Sequence, residues 1–194
     1  MPDSVIQRKV YELPPVDTRE VLRYARAGQE VDENTLSVLG EVLAEAAGVT
    51  VAGRVCFREC AIRVAPPEIH FGEWLRVASR DLCVNLQGCH RGVLFAATIG
   101  MGIDRVIAKY SRLSPVKALF AQALGAERIE ALCDLFCNDI QTTRPRFSPG
   151  YGDLPLELQR PIFELLEAPR QIGLTLNESL LMSPSKSVTA IAGK

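Results

Sequence analysis

The most informative stretch of the sequence is residues 92–110, GVLFAATIGMGIDRVIAKY, which places a buried strand directly before an amphipathic helix. The run from Gly92 to Gly100 is short, apolar and bounded by glycines, as is typical of a strand buried in a sheet. Helical spacing follows, with apolar side chains at Ile103, Val106, Ile107 and Tyr110. The stretch therefore predicts a strand, a tight turn and a helix.

A second helix follows at once, and we expect it to be the longest element of the protein. Ser114 and Pro115 form a favoured helix start, with proline at the first helical position. The helical period then continues past Gly125 to Ile140 through apolar residues at Leu119, Ala123, Ile129, Leu132, Leu135 and Phe136.

Strand signals dominate three other segments. Residues 5–13, VIQRKVYEL, alternate as a strand does, and Pro14-Pro15 ends them. Residues 49–64 are rich in β-branched side chains and predict two strands or one bent strand. Residues 172–193 predict two strands around a Ser-Pro-Ser-Lys turn. Residues 79–86 fit a strand and a helix equally well.

Three further helices complete the pattern. Asp17 and Asp32 are expected N-caps, and the second of these helices carries an apolar stripe of Leu36, Leu39, Val42, Leu43 and Ala46. Residues 161–169, PIFELLEAP, predict the third. Together the elements predict an α+β fold for residues 1–194, arranged as one domain. Its mixed or antiparallel sheet, expected to be curved, is flanked by several helices.

Composition narrows the class of protein. The chain has 194 residues, 47% of them hydrophobic, and a formal net charge of −1, which argues against disorder and against a basic nucleic-acid-binding face. The longest clear apolar stretch, residues 93–99, is far shorter than the ~18 residues of a membrane span. The first residues lack the apolar core of a signal peptide. We expect a soluble, cytoplasmic protein with no nucleic-acid or membrane partner.

The sequence contains few residues in patterns typical of catalytic side chains, and we predict no catalytic residue. His70 and His90 are the only histidines, which excludes a histidine-rich metal site, and no metal site is predicted. Cys133 and Cys137 have helical spacing that a thiolate pair could use. Six cysteines without a CxxC pair are nevertheless better explained as small buried residues. A cysteine-based redox protein is kept as an alternative.

Two glycine-containing segments could bind a ligand. Residues 98–104, TIGMGID, connect a strand to a helix as a phosphate loop does, but the dinucleotide fingerprint is incomplete because Arg105 occupies the third glycine position. A tight turn is the better interpretation there. Residues 146–155, RFSPGYGDLP, form a stiff loop in which Arg146 could bind a carboxylate and Tyr151 could stack on a base or a cation. On spacing alone, a structural Ω-loop is the better interpretation.

The segment Arg146-Phe-Ser-Pro-Gly150-Tyr151 resembles the Arg-x-x-x-Gly-Tyr segment of the activation (reactivation) domain of cobalamin-dependent methionine synthase. Residues 94–110 resemble the strand, glycine-rich turn and helix of that family, and residues 117–134 resemble its long helix. Residues 162–188, with their Ile-Gly-x-x-Leu-x-Glu-Ser stretch and proline-containing turn, match its C-terminal part.

The resemblance covers about residues 90–194 and is much weaker over about residues 1–89. It implies the α+β fold of the activation domain and binding of S-adenosylmethionine. In the family this domain serves a repair reaction, in which cobalamin oxidised to its cobalt(II) state is reduced by one electron and methylated from S-adenosylmethionine. The implied partners are a cobalamin-binding methionine synthase or another corrinoid protein, and a flavodoxin- or ferredoxin-like electron donor.

Residue by residue, the resemblance places Arg146 on the family's adenosylmethionine-binding arginine, with Gly150 and Tyr151 beside it. It places Glu130 on an acidic position of the long helix, where a carboxylate suits the sulfonium and ammonium of the ligand. It also places Leu181 in a strand that borders the pocket.

The sequence departs from the family after the Gly-Tyr pair. Gly152-Asp153-Leu154-Pro155 replaces the family's small-Cys-Pro sequence, Ser183 replaces an aromatic residue, and the chain ends at Lys194 before the family's aromatic tail. An Asp-x-His-x-x-Gly cobalamin-ligating motif is also missing.

The resemblance therefore implies a free-standing reactivation partner, with cobalamin carried by another protein. The alternatives are a reactivation factor for other corrinoid methyltransferases and a non-catalytic module that binds S-adenosylmethionine or a corrinoid protein.

Overall fold

Strands and helices are interspersed along the chain in the computed structural model, which describes residues 5–28, 31–49 and 52–194. The strands are β1 (Gln7–Glu12), β2 (Ala52–Ala65), β3 (Glu68–Phe71), β4 (Leu75–Ala78), β5 (Arg91–Thr98), β6 (Thr175–Leu176), β7 (Met182–Ser183) and β8 (Ser187–Gly193). The helices are α1 (Thr18–Tyr24), α2 (Glu33–Ala46), α3 (Arg80–Asn85), α4 (Gly102–Leu113), α5 (Pro115–Asp139), α6 (Gln159–Leu166) and α7 (Ala168–Ile172).

The main sheet is built around β2. One edge of β2 pairs first with β1 and then with β3, while its other edge pairs with β5. β4 extends the sheet beyond β3, and β8 extends it beyond β5. All of these pairings are antiparallel, and the sheet curls into a half-barrel flanked by helices. The predicted α+β fold with a curved sheet is therefore confirmed. Of the two predicted kinds of sheet, mixed and antiparallel, the protein has the antiparallel one.

Two ambiguous segments are resolved by this arrangement. The β-rich segment after α2 is a single strand of 14 residues, because β2 continues from its pairing with β1 into its pairing with β3. The segment that fitted a strand and a helix equally well is helix α3, whose start is fixed by the Ser79 hydroxyl accepting a hydrogen bond from the backbone N–H of Leu82 at 3.0 Å.

The C-terminal region has three strands where two were expected. β7 and β8 flank the Ser-Pro-Ser-Lys turn as predicted, but they do not pair with each other, and β6 precedes them. β7 instead pairs with β6 in a separate two-stranded sheet, and β8 joins the main sheet next to β5. Leu36, expected in the apolar stripe of α2, is 48% exposed, whereas Leu39, Val42 and Ala46 are buried as predicted.

Both faces of the sheet are covered, so β5 is buried on each side. Its side chains alternate between two cores, as expected for a strand. Val93, Phe95 and Ala97 pack into the core under α1, α2, α4 and α5. Leu94 and Ala96 pack into a second core with α3, α6 and α7. This double burial explains why residues 92–97 of β5 are apolar without interruption.

Helix α5 is the longest of the described elements, as predicted, and it packs closely against the sheet. A Cβ at Gly53 in β2 would lie 2.5 Å from the Leu132 side chain of α5, so any other residue here would force Leu132 to move. Phe136 of α5 is fully buried, with its ring 5.1 Å from the ring of Phe57 and 4.8 Å from that of Phe95. These contacts fix the position of α5 along the sheet.

A buried ion pair on α5 holds the N-terminal segment. Arg128 is 2% exposed and pairs with Glu127, while its guanidinium donates to the backbone carbonyl oxygens of Pro14 at 2.5 Å and Pro15 at 3.3 Å. Glu127 in turn accepts a hydrogen bond from the backbone N–H of Asp17. The start of α1 is thereby attached to the middle of α5. Among the described residues, none of the helices combines the length and apolarity needed to cross a membrane.

We expect Phe136→Ala to lower the free energy of unfolding by about 3–5 kcal/mol, because it removes a buried ring from an aromatic cluster and leaves a cavity. Val116→Ala, on the same helix but 53% exposed, should change it by less than about 0.5 kcal/mol. Chemical denaturation monitored by circular dichroism measures both values. Equal effects of the two substitutions would contradict the placement of Phe136 in the core.

Candidate functional site

A long loop, residues 142–155, runs along the outer edge of β8 and is hydrogen-bonded to it. Phe147 and Ile191 exchange two backbone hydrogen bonds, of 2.8 and 2.9 Å. Thr143 donates a further bond of 2.9 Å to the carbonyl oxygen of Gly193. The C-terminal half of β8 is therefore covered by the loop, and this pairing sets the position of Arg146.

The N-terminal half of β8 is left uncovered on the same edge. Backbone groups of a strand point to alternate edges, so Ser187 and Thr189 direct their N–H and C=O groups the same way as Ile191. In the part of the chain that the structure describes, no strand pairs with this edge. Polar backbone groups at this position are free to bind a ligand.

Arg146 extends from the loop to α5, where it pairs with two carboxylates. Glu130 and Asp134 lie one helical turn apart, and the Arg146 guanidinium bonds to Glu130 and, at 2.5 Å, to Asp134. The Arg146 side chain is only 21% exposed. Burial opposes its charge, but the hydrogen bond to Asp134 and the nearby carboxylates raise the pKa of Arg146 above its ordinary value. The arginine is therefore permanently charged.

A cleft of about 760 Å³ opens between the loop, α5 and the free part of β8. This volume is within the usual range for small-molecule sites. The cleft is lined by Asn85, Glu130, Pro145, Arg146, Phe147, Ser148, Pro149, Tyr151, Gln159, Met182, Ser187, Val188 and Thr189. Consecutive residues of a strand point to opposite faces, so the presence of Ser187, Val188 and Thr189 shows that the cleft wraps around the edge of the sheet.

The structure brings together three of the residues singled out in the sequence. Arg146, Glu130 and Tyr151 all line the cleft, and Tyr151, 69% exposed, stands at its mouth. Gly150 lies between them with a φ of +91°, in the left-handed region that side chains disfavour. Its conformation turns the loop so that Tyr151 follows Arg146 into the same cleft.

Leu181 is placed differently from the expectation. It precedes β7 rather than lying in a strand, because Leu180 adopts a positive φ of 62° and the backbone turns there. The Leu181 side chain is 66% exposed, and its neighbour Met182 lines the cleft instead.

The loop residues that depart from the family sequence have a structural role. Asp153 caps α3, since its carboxylate accepts hydrogen bonds from the Ser79 hydroxyl and, at 2.7 Å, from the backbone N–H of Arg80. A side chain at Gly152 would put its Cβ 2.2 Å from the Asp81 carboxylate, and its φ of +53° also suits glycine. The Gly-Asp pair thus fastens the loop to α3.

Sequence reasoning missed three polar residues of the cleft: Asn85, Gln159 and Thr189. Each has a buried side-chain oxygen without a hydrogen-bond partner. They come from α3, α6 and β8, far apart in the sequence, and none belongs to a motif. Asp134 was also missed, although its position four residues after Glu130 on the same helix could have indicated it.

The other candidate segments have structural explanations. Residues 98–104 form a tight turn, as favoured, and Asp104 in the first turn of α4 accepts a hydrogen bond from the backbone N–H of Ser185. Five of the six cysteines are buried, which confirms those five as core residues, and Cys137 is partly buried; all six are free thiols. Burial raises the pKa of the Cys56 thiol to about 12 and that of Cys133 as well. Neither thiol is ionised at neutral pH.

The cap on α3 gives a testable pH dependence. The hydrogen bond from Ser79 and those from backbone N–H groups hold the pKa of Asp153 below its ordinary value. A carboxyl group with a lowered pKa stabilises the fold above the pKa of the unfolded chain and loses that effect as the pH falls through the folded pKa. Asp153→Asn should therefore be destabilising at neutral pH, and the difference from wild type should shrink below about pH 4.

Denaturant titrations from about pH 7 to about pH 3 measure this difference. Glu157→Gln, at an exposed carboxylate nearby, is the control and should show a small difference at every pH. A constant difference for Asp153→Asn across the range would contradict the role of its charge in capping α3.

Comparison with known proteins identifies the fold. No protein-family model matches the sequence, and no curated protein sequence matches it either. Among solved structures, the chain is similar to a crystal structure of the MetH reactivation domain bound to AdoHcy, with a TM-score of 0.72 and 14% sequence identity. The superposition covers 99% of this chain and 79% of the other. At this identity the match establishes a shared fold, and the protein has the fold of that reactivation domain.

Proposed function

We propose that the cleft binds S-adenosylmethionine and that the protein supports the reductive methylation of cob(II)alamin on a separate corrinoid protein. The observation that carries the proposal is the contact of Arg146 with Glu130 and Asp134 at the cleft. The fold is shared with a domain whose crystal structure contains AdoHcy, the demethylated form of this ligand, which supports the same conclusion.

The charges of the cleft complement those of the ligand. S-adenosylmethionine carries a carboxylate, an ammonium and a sulfonium. The planar guanidinium of Arg146 suits the carboxylate, and the carboxylates of Glu130 and Asp134 suit the two cationic groups. In the free protein these side chains pair with one another, so the ligand replaces existing ion pairs and leaves no charge buried without a partner.

Other residues of the cleft position the ligand. Tyr151 offers a ring face at the mouth, which suits stacking on the adenine base. Gly150 contributes indirectly, because its positive φ turns the loop between Arg146 and Tyr151. Leu181 does not line the cleft, but it precedes Met182, which does, and we propose that it covers the ligand from the side of β7.

The reaction itself needs no acid, base or nucleophile from this chain. It requires one electron for cobalt(II) and then transfer of the methyl group from the sulfonium to cobalt(I), which releases S-adenosylhomocysteine. Arg146, Glu130 and Tyr151 would hold the methyl donor at the cleft mouth, and their contribution is orientation. The electron is proposed to come from a flavodoxin- or ferredoxin-like donor, and the corrinoid protein is a methionine synthase or a related methyltransferase component.

Calorimetric titration with S-adenosylmethionine tests the ligand site. We expect micromolar binding that Arg146→Ala weakens by about 10- to 100-fold, since a hydrogen-bonded ion pair is lost. Glu130→Ala should weaken it less, because the ion pair with Asp134 still holds Arg146 in place. Arg112→Ala, at an exposed arginine of α4, is the matched control and should bind as wild type does.

The reactivation role needs a second assay, in which cobalt(II)-loaded corrinoid proteins receive a reductant and methyl-labelled S-adenosylmethionine. We expect label on cobalt only when this protein is present, and less with Arg146→Ala. Testing a methionine synthase and another corrinoid methyltransferase side by side identifies the partner class. Binding without any change of cobalt state would overturn the reactivation role and favour a non-catalytic binding module. Absence of binding would overturn the ligand site.

A further inference from the structure

Three unpaired oxygen atoms lie around the cleft, at Asn85 Oδ1, Gln159 Oε1 and Thr189 Oγ1. All three are covered from solvent, and none of them bonds to another group of the protein. Gln159 is 6% exposed and Thr189 is 1% exposed. A buried polar atom without a partner costs about 1–3 kcal/mol, so three of them beside one cleft need an explanation.

The chemistry of each residue is defined by its neighbours. Asn85 donates its Nδ2 to the carbonyl oxygen of Pro145 at 3.1 Å, which fixes its Oδ1 as an acceptor. Gln159 makes no side-chain hydrogen bond in the described structure, so it can offer an acceptor and a donor together. Thr189 adds a hydroxyl. Together the three side chains are uncharged and rich in hydrogen-bond acceptors, and the Gln159 amide can accept one hydrogen bond from a ligand while it donates another.

These residues lie away from the charged end of the cleft. Asn85 and Gln159 are on α3 and α6, which pack on the second core, whereas Glu130 and Asp134 are on α5 on the opposite face of the sheet. Because the cleft wraps around the edge of β8, a ligand with its charged groups on α5 would extend its other end towards Gln159.

We propose that Asn85, Gln159 and Thr189 bind the amino edge of the ligand's adenine and so select a 6-aminopurine. This inference rests on the proposed function, since it assigns the uncharged end of the same ligand. A primary amide forms a two-point contact with adenine, accepting from the exocyclic amine and donating to a ring nitrogen. Gln159 has both amide atoms free for that contact, and Asn85 and Thr189 are acceptors for the remaining N–H.

The proposal predicts opposite effects on stability and binding. Removing an unpaired buried oxygen relieves its cost in the free protein, so Gln159→Leu and Thr189→Val should raise the melting temperature of the unliganded protein by about 2–4 °C. Each should weaken binding of S-adenosylhomocysteine by about 10-fold, because a hydrogen bond to the base is lost. If a residue had only a structural role, its substitution would not raise the melting temperature of the protein and weaken ligand binding at the same time.

Comparison of two ligands tests the selectivity directly. S-inosylhomocysteine carries an oxygen in place of the adenine amine of S-adenosylhomocysteine. In calorimetric titrations, wild type should bind the inosyl compound about 10-fold more weakly. Gln159→Leu should bind both equally, and Thr189→Val provides a second variant. Arg146→Ala should weaken both ligands by the same factor and keep their ratio.

The outcomes separate this inference from the proposed function. If wild type binds neither compound, the proposed function fails. If it binds both with equal affinity, the adenosine ligand stands and the role of these three residues is overturned. A ratio that is unchanged in Gln159→Leu and in Thr189→Val would overturn it as well.

Discussion

The pair of hydrogen bonds between Phe147 and Ile191 is the constraint on which the site depends. β8 is the last strand of its end of the sheet, and this contact joins the loop to it at one defined register. This register sets the positions of the neighbouring loop residues, so Arg146 meets α5 and Tyr151, after the turn at Gly150, lines the cleft. Of the contacts that hold the loop, this one lies next to Arg146, and it sets the position from which the arginine reaches its two carboxylates.

Helix α5 connects this region to the rest of the protein. Its buried Arg128 binds the carbonyl oxygens of the Pro14-Pro15 segment, while Glu130 and Asp134 bind the loop. A second, smaller cleft on the N-terminal side is lined by the same two carboxylates. The N-terminal segment and the loop are therefore attached to successive turns of one helix. Displacement of either segment would alter the charges that the other one faces.

The fold was largely predictable from the sequence, because the signals that define it are local. Uninterrupted apolar residues mark β5 as buried on both faces, and the helical period after Ser114 marks α5 along almost its whole length. The pairing of β7 with β6 was not predictable, since the turn at Leu180 is set by a positive φ at a residue type that seldom adopts one.

The candidate site was predictable only in part. Arg146, Gly150 and Tyr151 stand together in the sequence, and Glu130 was found through the family resemblance. Gln159 and Thr189 have no local signature, because what distinguishes them is a missing partner, and that depends on how distant segments pack. Leu181 was misplaced for the same reason as β7. Sequence patterns reveal groups that act as neighbours along the chain and miss those assembled by the fold.

The partial cover of β8 has a consequence for self-association. An open strand edge invites another chain to add a strand, which leads to aggregation. Here Thr143 and Phe147 occupy the outward groups of Gly193 and Ile191, and Pro145 between them cannot donate a backbone hydrogen bond. Along β8, the described structure leaves open the short segment around Ser187 and Thr189, which offers few backbone groups to a foreign strand. The loop that forms the cleft thus also blocks most of the β8 edge from pairing with another chain.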